Sequence, residues 1–286
     1  MYLRKEDRWK LLVFLIPALI LFVVYFLYPL LYVAVMSFYK WDAFRAPEFK
    51  GLANYLTIFK DRIFRRALSN NLIWSAADMC IKVPLAMVVA LILSRKIRGW
   101  KFFRTVYFLP QVISGIAMAA LWQAVFNYDF GLLNGVVKLF GGQPVNWLGN
   151  VDVAFICVIS YGLLYIGYFM VIMMADITGI DTTYYEAAAL DGASGVQTDV
   201  HITIPMIRNS LATCITLAAV FGLRAFEQVY LLTGGGPANR TMTMVLYIYN
   251  KMNANLYGPA NAAAVVLVVI GIVVMSVVRK IVAGKD

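Results

Sequence analysis

Residues 176–207 read DITGIDTTYYEAAALDGASGVQTDVHITIPMI, and they separate two long apolar segments of the chain. Thr183–Glu186 has the pattern of a capping box, in which a threonine caps a helix start and a glutamate reaches back to it. Gly192 stands where a glycine with positive φ ends a helix. Ser194–Gln197 matches a second capping box, and Pro205 disfavours helix at the residue before it. The stretch therefore predicts two short helices joined by a turn.

The charge of this loop has one sign. It contains no lysine or arginine, and its acidic residues are Asp176, Asp181, Glu186, Asp191 and Asp199. The anionic inner leaflet of a membrane would repel such a loop, whereas a basic protein surface would attract it. The composition therefore favours docking onto a basic protein partner on the cytoplasmic side.

The composition of the whole chain indicates a membrane protein. Of its 286 residues, 62% are hydrophobic and 14% are charged, whereas ordinary soluble domains have about 45–50% apolar and about 25% charged residues. A membrane-spanning helix needs about 20 mostly apolar residues. The candidate spans are 11–36, 72–93, 105–126, 153–175, 209–232 and 261–278. We predict an all-α polytopic membrane protein, with residues 1–286 forming one transmembrane domain of six helices and the helix-turn-helix loop between the fourth and fifth.

The basic residues indicate the orientation in the lipid bilayer. They cluster in the N-terminal tail and in the link 94–104, and cytoplasmic loops carry such an excess. We therefore expect both chain termini in the cytoplasm. The link between the first and second helices is also basic, and part of it has the spacing of an interfacial helix. Because the basic residues lie beside apolar segments, the net charge of +10 does not indicate nucleic-acid binding.

The loop resembles a known family motif. Residues 186–194, EAAALDGAS, and residues 202–205, ITIP, are similar to the EAA loop of permease subunits in binding-protein-dependent ABC importers. Ile204 stands where that family has leucine. Within the motif, the residues Asp-Gly-Ala-Ser at 191–194 resemble those of the carbohydrate branch of the family, the maltose-type permeases. The supporting stretches are GLANY at 51–55, FLP at 108–110 and LTGGGP at 232–237.

The resemblance implies a transport function and a set of partners. It implies a permease subunit in a bacterial or archaeal cytoplasmic membrane that moves a sugar or oligosaccharide. A second permease would form a heterodimer with it, or less often an identical chain would form a homodimer. Two cytoplasmic ATPase subunits would dock on the EAA loops, and an extracytoplasmic binding protein would deliver the carbohydrate. ATP and Mg would be bound by the ATPase subunits, so the chain itself would carry no cofactor and no metal and would not be an enzyme.

The same resemblance assigns the residues that would couple ATP hydrolysis to transport. They are Glu186, Ala187, Ala188, Asp191, Gly192, Ile202 and Pro205. Two of these residues also have a purely structural explanation. Glu186 could do no more than cap its helix, and the turn needs a glycine at Gly192 whether or not the loop couples to an ATPase.

Aromatic and ionisable residues in the fourth and fifth segments are candidates for a substrate pathway. Tyr161, Tyr165 and Tyr168 have the spacing of one helix face, which suits the C–H faces and hydroxyls of sugars, although packing between helices would need the same pattern. Arg224 and Glu227 lie three residues apart, and charged residues inside a membrane often line a pathway, although they could also pair with each other. The resemblance to sugar-holding permeases adds Leu164, Phe221, Gly222 and Ala225. Asp78 and Lys82, four residues apart, are expected to form a structural ion pair or to bind the partner permease.

Two other classes of function compete with this interpretation. A self-sufficient secondary transporter or channel would need coupling-ion chemistry or a pore within one chain, and usually shows internal repeats. An intramembrane enzyme would use Asp78 or Glu227. The sequence contains no GxxxxGK[ST], HExxH or GxSxG element and no evident repeat, so both are weaker hypotheses.

Overall fold

The computed structural model describes residues 5–282, with side-chain positions from residue 13 to residue 280. The ends of the predicted domain, residues 1–4 and 283–286, lie outside the described residues. Helix dominates the regular structure, as the composition predicts. Within the described range, the only strands are Tyr39–Lys40 and Glu48–Phe49, which pair antiparallel.

The helices vary widely in length, and several are interrupted. In chain order the α-helices are Lys5–Phe22, Tyr28–Met36, Ala53–Lys60, Arg62–Ala77, Val83–Ser94, Trp100–Phe108, Gly115–Val125, Leu132–Leu139, Ala154–Leu163, Gly167–Thr178, Thr182–Leu190, Gly195–Thr198, Ile204–Met206, Arg208–Leu223, Glu227–Leu232, Met244–Asn253 and Tyr257–Val282. Turns of π-helix join some of them at Val23–Leu27, Asp78–Lys82 and Asp199–Thr203, and Leu109–Gln111 is a 3₁₀ turn.

Four helical segments in the described part of the chain are long and apolar enough to cross a membrane. They are Val13–Met36, Arg62–Ser94, Ala154–Thr178 and Tyr257–Lys280. These correspond to the predicted first, second, fourth and sixth spans. Two bent helix pairs raise the number to as many as six if each is one span. The protein is therefore a mostly helical, multi-pass membrane protein.

The third predicted span, 105–126, is not one continuous helix. The two helical parts Trp100–Gln111 and Gly115–Val125 meet at 98°. Pro110 lies in the 3₁₀ turn before the break. Ser114 then caps the second helix, because its side chain accepts a hydrogen bond from the backbone N–H of Ala117 at 3.2 Å. Local proline and serine chemistry therefore bends this segment.

The fifth predicted span, 209–232, is also broken. Its first helix ends at Leu223 and the next begins at Glu227, with three non-helical residues between them. Arg224 therefore lies within the break and Glu227 begins the next helix, so the alternative in which the two side chains pair across one helical turn is wrong. Among the described residues, no ion pair joins these two side chains.

Buried amide side chains of the second span satisfy the backbone at this break. Asn71 Nδ2 donates to the carbonyl oxygens of Gly222 at 2.7 Å and Leu223 at 2.9 Å, and Asn71 Oδ1 accepts from the N–H of Met244 at 2.6 Å. Ser75 Oγ donates to Ala219 O at 2.9 Å. A broken helix is tolerated at membrane depth only where such partners replace the lost backbone hydrogen bonds.

The chain divides into two compact units. The first contains the residues up to Asp61 together with Ile248–Val266. The second contains Arg62–Tyr247 together with the residues from Leu267 onward. The helix-turn-helix loop and the predicted pathway residues all belong to the second unit.

Two helices of the second unit pack closely against each other. Val83–Ser94 and Gly167–Thr178 share a buried core with little solvent exposure, formed by Ala86, Ala90, Phe169, Met170 and Met173, among others. Small residues such as alanine let two helix backbones approach, and larger apolar side chains of the partner then fill the space. This packing holds the second and fourth predicted spans together, and both spans also carry the polar residues of the candidate site.

Removal of the Asn71 amide should destabilise the folded protein. Asn71→Ala removes the amide partner of Leu223 O and of the Met244 N–H, and one of the partners of Gly222 O. Each buried polar group left without a partner costs about 1–3 kcal/mol. We expect a clearly lower midpoint of thermal unfolding for the detergent-solubilised protein. Asn209→Ala, at an exposed position of the helix Arg208–Leu223, is the control and should leave the midpoint unchanged. Equal midpoints for both variants would contradict the assigned role of Asn71.

Candidate substrate cavity and coupling loop

A cavity of about 440 Å³ opens among the second, fourth and fifth predicted spans and the bend of the third. We call it the tyrosine cavity. Its lining is aromatic, amide and charged, and consists of Trp74, Asp78, Lys82, Gln111, Ile113, Gly115, Tyr161, Gly162, Tyr165, Phe221, Arg224, Ala225, Glu227 and Gln228. A concave site of this size, with aromatic side chains and convergent polar groups in its lining, is a usual form of a small-ligand site.

The predicted pathway residues divide between the cavity and its surroundings. Those that line it are Tyr161, Tyr165, Phe221, Arg224, Ala225 and Glu227. Leu164, Tyr168 and Gly222 lie outside the lining. Gly222 has a packing role instead, since a Cβ there would lie 2.5 Å from the N and Cα atoms of Ser75. The backbones of the second and fifth spans could not meet so closely with a larger residue.

The three tyrosines do not form one continuous face, which corrects the expectation from their spacing. The fourth span is interrupted between Leu163 and Gly167. Tyr161 lies before the interruption and Tyr165 within it, with their hydroxyls 2.9 Å apart and their ring centroids 5.5 Å apart. Tyr168 instead packs against the ring of Phe221, with centroids 5.9 Å apart. The cavity therefore contains a pair of tyrosines, not a stripe of three.

The predicted ion pair of Asp78 and Lys82 is present. Lys82 Nζ lies 2.7 Å from Asp78 Oδ1, and the two residues are only 5% and 1% exposed. The segment that carries both is a turn of π-helix inside the second span. The pair thus brings two opposite charges to the cavity wall with no net charge.

Arg224 and Glu227 bring the other two charges. The carboxylate of Glu227 lies against Gly115, so closely that a Cβ at this glycine would collide with it. Gly115 is the first residue of the helix Gly115–Val125, and the start of a helix stabilises a nearby carboxylate through its partial positive charge. The bends of the third and fifth predicted spans thus meet at Glu227.

Sequence reasoning did not select several of the lining residues as pathway candidates. Trp74, Gln111, Ile113 and Gly162 reach the cavity from three different segments. Gln111 Nε2 donates to the carbonyl oxygen of Tyr165 at 3.4 Å. The only local signal for Gln111 was the Phe-Leu-Pro stretch directly before it.

The helix-turn-helix loop forms as predicted, but its first cap differs. The helix Thr182–Leu190 is capped by Asp181, whose Oδ1 accepts from the backbone N–H of Thr183 at 3.0 Å and from its hydroxyl at 2.9 Å. The proposed capping box of Thr183 and Glu186 is therefore wrong, because Asp181 begins the helix earlier. These hydrogen bonds, the backbone one above all, hold the pKa of Asp181 below its usual value. Glu186 is left exposed and free of a capping role.

The turn and the second cap agree with the sequence. Gly192 has φ of +76°. Its N–H donates to Ala189 O at 3.1 Å, and the N–H of Ala193 donates to Ala188 O at 2.9 Å, which is the hydrogen-bond pattern of a Schellman motif. Ser194 and Gln197 form the second capping box. These local signals fully account for the turn.

The second helix of the loop continues through Pro205 to Met206 and then bends by 74°. Ile204 is helical, with φ −62° and ψ −46°, so the expected end before Pro205 is wrong by two residues. Pro205 lies in the first turn after the π-helical turn Asp199–Thr203. Pro205 has no N–H to donate, so the helix lacks one backbone hydrogen bond at this position.

The outer side of the loop carries a groove of about 670 Å³ between its two helices. Of the predicted coupling residues, it is lined by Ala187, Ala188, Asp191, Gly192 and Ile202. Glu186 and Pro205 are exposed beside it. Two apolar side chains project from the loop, since Leu190 is 89% and Val196 71% exposed. Exposed apolar residues next to a groove are typical of a protein-binding surface.

The inner side of the loop is joined to the end of the second span. Arg95 forms an ion pair with Asp199, and its Nη2 also donates to Gly195 O at 3.0 Å. Thr203 Oγ1 lies 3.4 Å from Asp199 Oδ1 and 3.4 Å from the hydroxyl of Tyr185. Polar contacts thus connect both loop helices to the second span.

Comparison with known proteins identifies the family. The family model described as "Binding-protein-dependent transport system inner membrane component" matches residues 82–285. The chain belongs to this family. The match includes the helix-turn-helix loop and most of the tyrosine cavity, so the family prediction made from residues 186–205 is confirmed. The family consists of transport permeases, not enzymes.

Two relatives match nearly the whole length of the permease. It is 34% identical over 265 residues to the multiple sugar-binding transport system permease protein MsmF of Streptococcus mutans, with 91% of each chain covered. It is 30% identical over 259 residues to the trehalose/maltose transport system permease protein MalF of Thermococcus litoralis, with 90% of this chain and 88% of that one covered.

The fold of the permease resembles that of a solved structure. A bacterial ABC transporter involved in the import of the acidic polysaccharide alginate matches with a TM-score of 0.84 and 24% sequence identity. The match covers 97% of this chain and 96% of that chain. The likeness supports the helical permease fold along almost the entire chain.

The buried ion pair makes the permease sensitive to the loss of one partner. Asp78→Asn leaves the ammonium group of Lys82 buried without a counterion, which costs about 3–5 kcal/mol. We expect a lower midpoint of thermal unfolding for the purified permease. The double variant Asp78→Leu with Lys82→Leu removes both charges and should recover much of the loss.

An exposed pair provides the control for this comparison. Lys50 Nζ lies 2.6 Å from Glu48 Oε1, with both side chains largely exposed, so Glu48→Gln should leave the midpoint unchanged. If the double variant at positions 78 and 82 unfolds as early as Asp78→Asn, removal of the opposite charge is not the cause, and the assigned pairing energy is refuted.

Proposed function

We propose that this permease is the membrane-spanning subunit of an ATP-driven ABC importer for a sugar or oligosaccharide. The observation that carries the proposal is a cavity with a tyrosine pair and four charged side chains, in a chain whose relatives include permeases named for sugars. An extracytoplasmic binding protein would deliver the substrate. The solved alginate importer supports this partner, since it was also crystallised with an alginate pentasaccharide-bound periplasmic protein.

The chemistry of the tyrosine cavity suits a carbohydrate. Trp74, Tyr161 and Tyr165 offer aromatic rings to the C–H faces of a sugar ring, and the tyrosines add hydroxyls. Gln111 and Gln228 add amide groups that can both donate and accept hydrogen bonds. A ligand with many hydroxyls and little charge matches such a lining better than an apolar or strongly ionic one.

The helix-turn-helix loop would couple the permease to its ATPase. Glu186 and Asp191 present carboxylates, and Leu190 and Val196 present apolar side chains, on a loop without basic residues. This combination fits a partner with a basic, partly apolar cleft. Arg95 would transmit movement, because it joins the loop to the second span. ATP and Mg would bind in two cytoplasmic ATPase subunits.

The topology in this proposal has six spans with both termini in the cytoplasm of a bacterial or archaeal cell. The bent segment 100–125 would be the third span, and Arg208–Leu223 continued by Glu227–Leu232 would be the fifth. The loop then lies on the same cytoplasmic side as the termini. A second permease, in a heterodimer, would complete the pathway, and the transmembrane domain would comprise residues 1–286.

Family membership disfavours the competing functions. A secondary transporter or channel would work without an ATPase, and an intramembrane enzyme would need a reactive group at Asp78 or Glu227. Asp78 is paired with Lys82, and Glu227 lies against a helix start. Neither environment is that of a free general base.

Transport by the complete importer tests the cavity. Tyr165→Ala removes a ring and a hydroxyl from the lining, and the loss of such contacts costs about 1–3 kcal/mol. We expect uptake of the carbohydrate into proteoliposomes to fall by roughly tenfold to a hundredfold, with the ATPase subunits still bound. Tyr168→Ala, whose side chain lies outside the lining, is the matched control.

Two results would contradict the cavity assignment. One is an equal loss of uptake in both tyrosine variants, which would indicate a packing defect. The other is wild-type uptake by Tyr165→Ala. The permease alone, without ATPase and binding protein, should show neither ATP hydrolysis nor uptake, and either activity would refute the proposed dependence on partners.

Substitution of Gly192 tests the coupling role of the loop. Nothing lies within 4 Å of a Cβ added at Gly192, but its φ of +76° is strained for other residues, by about 1–3 kcal/mol for a bulky one. Gly192→Val should therefore change the direction of the second loop helix. As a result, ATP hydrolysis should become uncoupled from uptake, or the ATPase should detach. Gly192→Ala should show a smaller effect in the same direction.

A second glycine of the same loop separates strain from simple substitution. Gly179 has an ordinary φ of −86°, and a Cβ there would make an ordinary contact with Asp176 O at 3.4 Å. Gly179→Ala should retain coupled transport, measured as sugar uptake per ATP hydrolysed. Full uptake and full ATPase copurification by Gly192→Val would show that this loop is not the coupling element.

A further inference from the structure

A small cationic pocket lies beside the helix-turn-helix loop and apart from the tyrosine cavity. Its volume is about 240 Å³. Its polar rim consists of Lys96, Trp100, Arg104 and Thr178. It shares no lining residue with the tyrosine cavity. The coupling and substrate roles proposed above do not use this site.

The charge of the pocket is positive and uncompensated. Lys96 and Arg104 line it, and no carboxylate does. Within the described residues, neither cation takes part in an ion pair, whereas the adjacent Arg95 is neutralised by Asp199. Lys96 is also held at φ +51°, a backbone conformation that is uncommon for residues other than glycine. Two cations held at one concave site favour an anionic group such as a phosphate.

The rest of the pocket is apolar. Val171, Met174 and Ala175 line it from one face of the helix Gly167–Thr178. The helix Trp100–Phe108 opposite them exposes large apolar side chains, namely Phe102, Phe103, Val106, Tyr107 and Phe108. Tryptophan and basic residues beside exposed apolar side chains are typical of the level where lipid headgroups meet acyl chains.

Size limits the ligand further. Sites for drug-sized molecules have volumes of about 300–1,000 Å³, and this pocket is smaller at about 240 Å³. It can take a phosphate with a short polar group, but not a nucleotide or an oligosaccharide. An acyl chain attached to that phosphate would lie along the apolar side chains outside the pocket.

We propose that this pocket binds the phosphate headgroup of an anionic phospholipid, of the phosphatidylglycerol type. Lys96 and Arg104 bind the phosphate, Trp100 lies at the glycerol level, and the exposed face of Trp100–Phe108 contacts the acyl chains. Lys96 also lines a second cavity, of about 510 Å³, that Arg95 and the loop residues Gly195 and Asp199 share. A lipid bound at Lys96 therefore lies directly beside the residues that hold the loop.

A matched pair of double variants tests this site. Lys96→Gln with Arg104→Gln removes the two cations of the pocket. Arg98→Gln with Lys101→Gln removes two exposed cations of the same segment that do not line it. Both variants lower the net charge equally, so any general attraction to anionic lipid changes equally. The probe is a fluorescent phosphatidylglycerol, added to the purified importer in nanodiscs of phosphatidylcholine.

The wild type and the Arg98/Lys101 variant should bind the probe with the same affinity. The Lys96/Arg104 variant should bind it at least about tenfold more weakly, because each basic residue near a lipid surface contributes appreciably to the attraction of an anionic lipid. Fluorescent phosphatidylcholine should not bind to any of the three. Unchanged binding by the Lys96/Arg104 variant, or an equal loss in both variants, would overturn the proposal.

Two further measurements on the wild type do not depend on the variants folding. Unlabelled phosphatidylglycerol should displace the probe, and soluble glycerol phosphate at the same concentration should not. Displacement by glycerol phosphate would identify a site for free anions and overturn the lipid assignment. Loss of the copurifying ATPase from the Lys96/Arg104 variant, with the probe still bound, would assign the pocket to a protein interface and overturn it as well.

Discussion

The hydrogen bonds of one buried side chain, Asn71, hold the arrangement on which the candidate substrate site depends. A helix that breaks at membrane depth leaves carbonyl oxygens without partners, and lipid offers none. The amide of Asn71 provides them for Gly222 and Leu223, and its oxygen accepts from Met244. The fifth predicted span can therefore end at Leu223 and restart at Glu227. Without these hydrogen bonds a continuous helix would have the lower free energy, and the residues between Leu223 and Glu227 would not reach the cavity.

The break determines the electrostatics of the tyrosine cavity. Arg224 lies in the break and Glu227 directly after it, and no ion pair joins them among the described residues, while Asp78 and Lys82 form a closed pair in the second predicted span. The cavity wall thus combines a neutral buried pair with two separately held charges. Glu227 is stabilised by the start of the helix at Gly115, which exists only because the third span is bent as well. The break in the fifth predicted span and the bend in the third therefore meet at one carboxylate.

The helix-turn-helix loop between the fourth and fifth predicted spans is built differently. Asp181, Gly192 and the pair of Ser194 and Gln197 form its caps and turn through bonds between near neighbours. Its link to the spans is long-range and rests on Arg95, which binds Asp199 and Gly195 O. On its outer side Leu190 and Val196 are exposed, and the cationic pocket at Lys96 adjoins its inner attachment.

The sequence by itself determined the class of the protein, most of its spans and the internal structure of the loop. The length of an apolar segment predicts a membrane span, and capping signals act within a few residues. Both can therefore be predicted from the sequence without knowledge of the tertiary structure. The family also followed from one short stretch, residues 186–205. Only the tertiary structure decided where the third and fifth spans break, that Tyr168 leaves the face of Tyr161 and Tyr165, and that Arg95 holds the loop. The break in the fifth span depends on an asparagine 151 residues away from the carbonyl it binds. Such a hydrogen bond leaves no local pattern in the sequence. It forms only when distant segments meet, and it stabilises the break because no water is present there to bind the carbonyl oxygen instead.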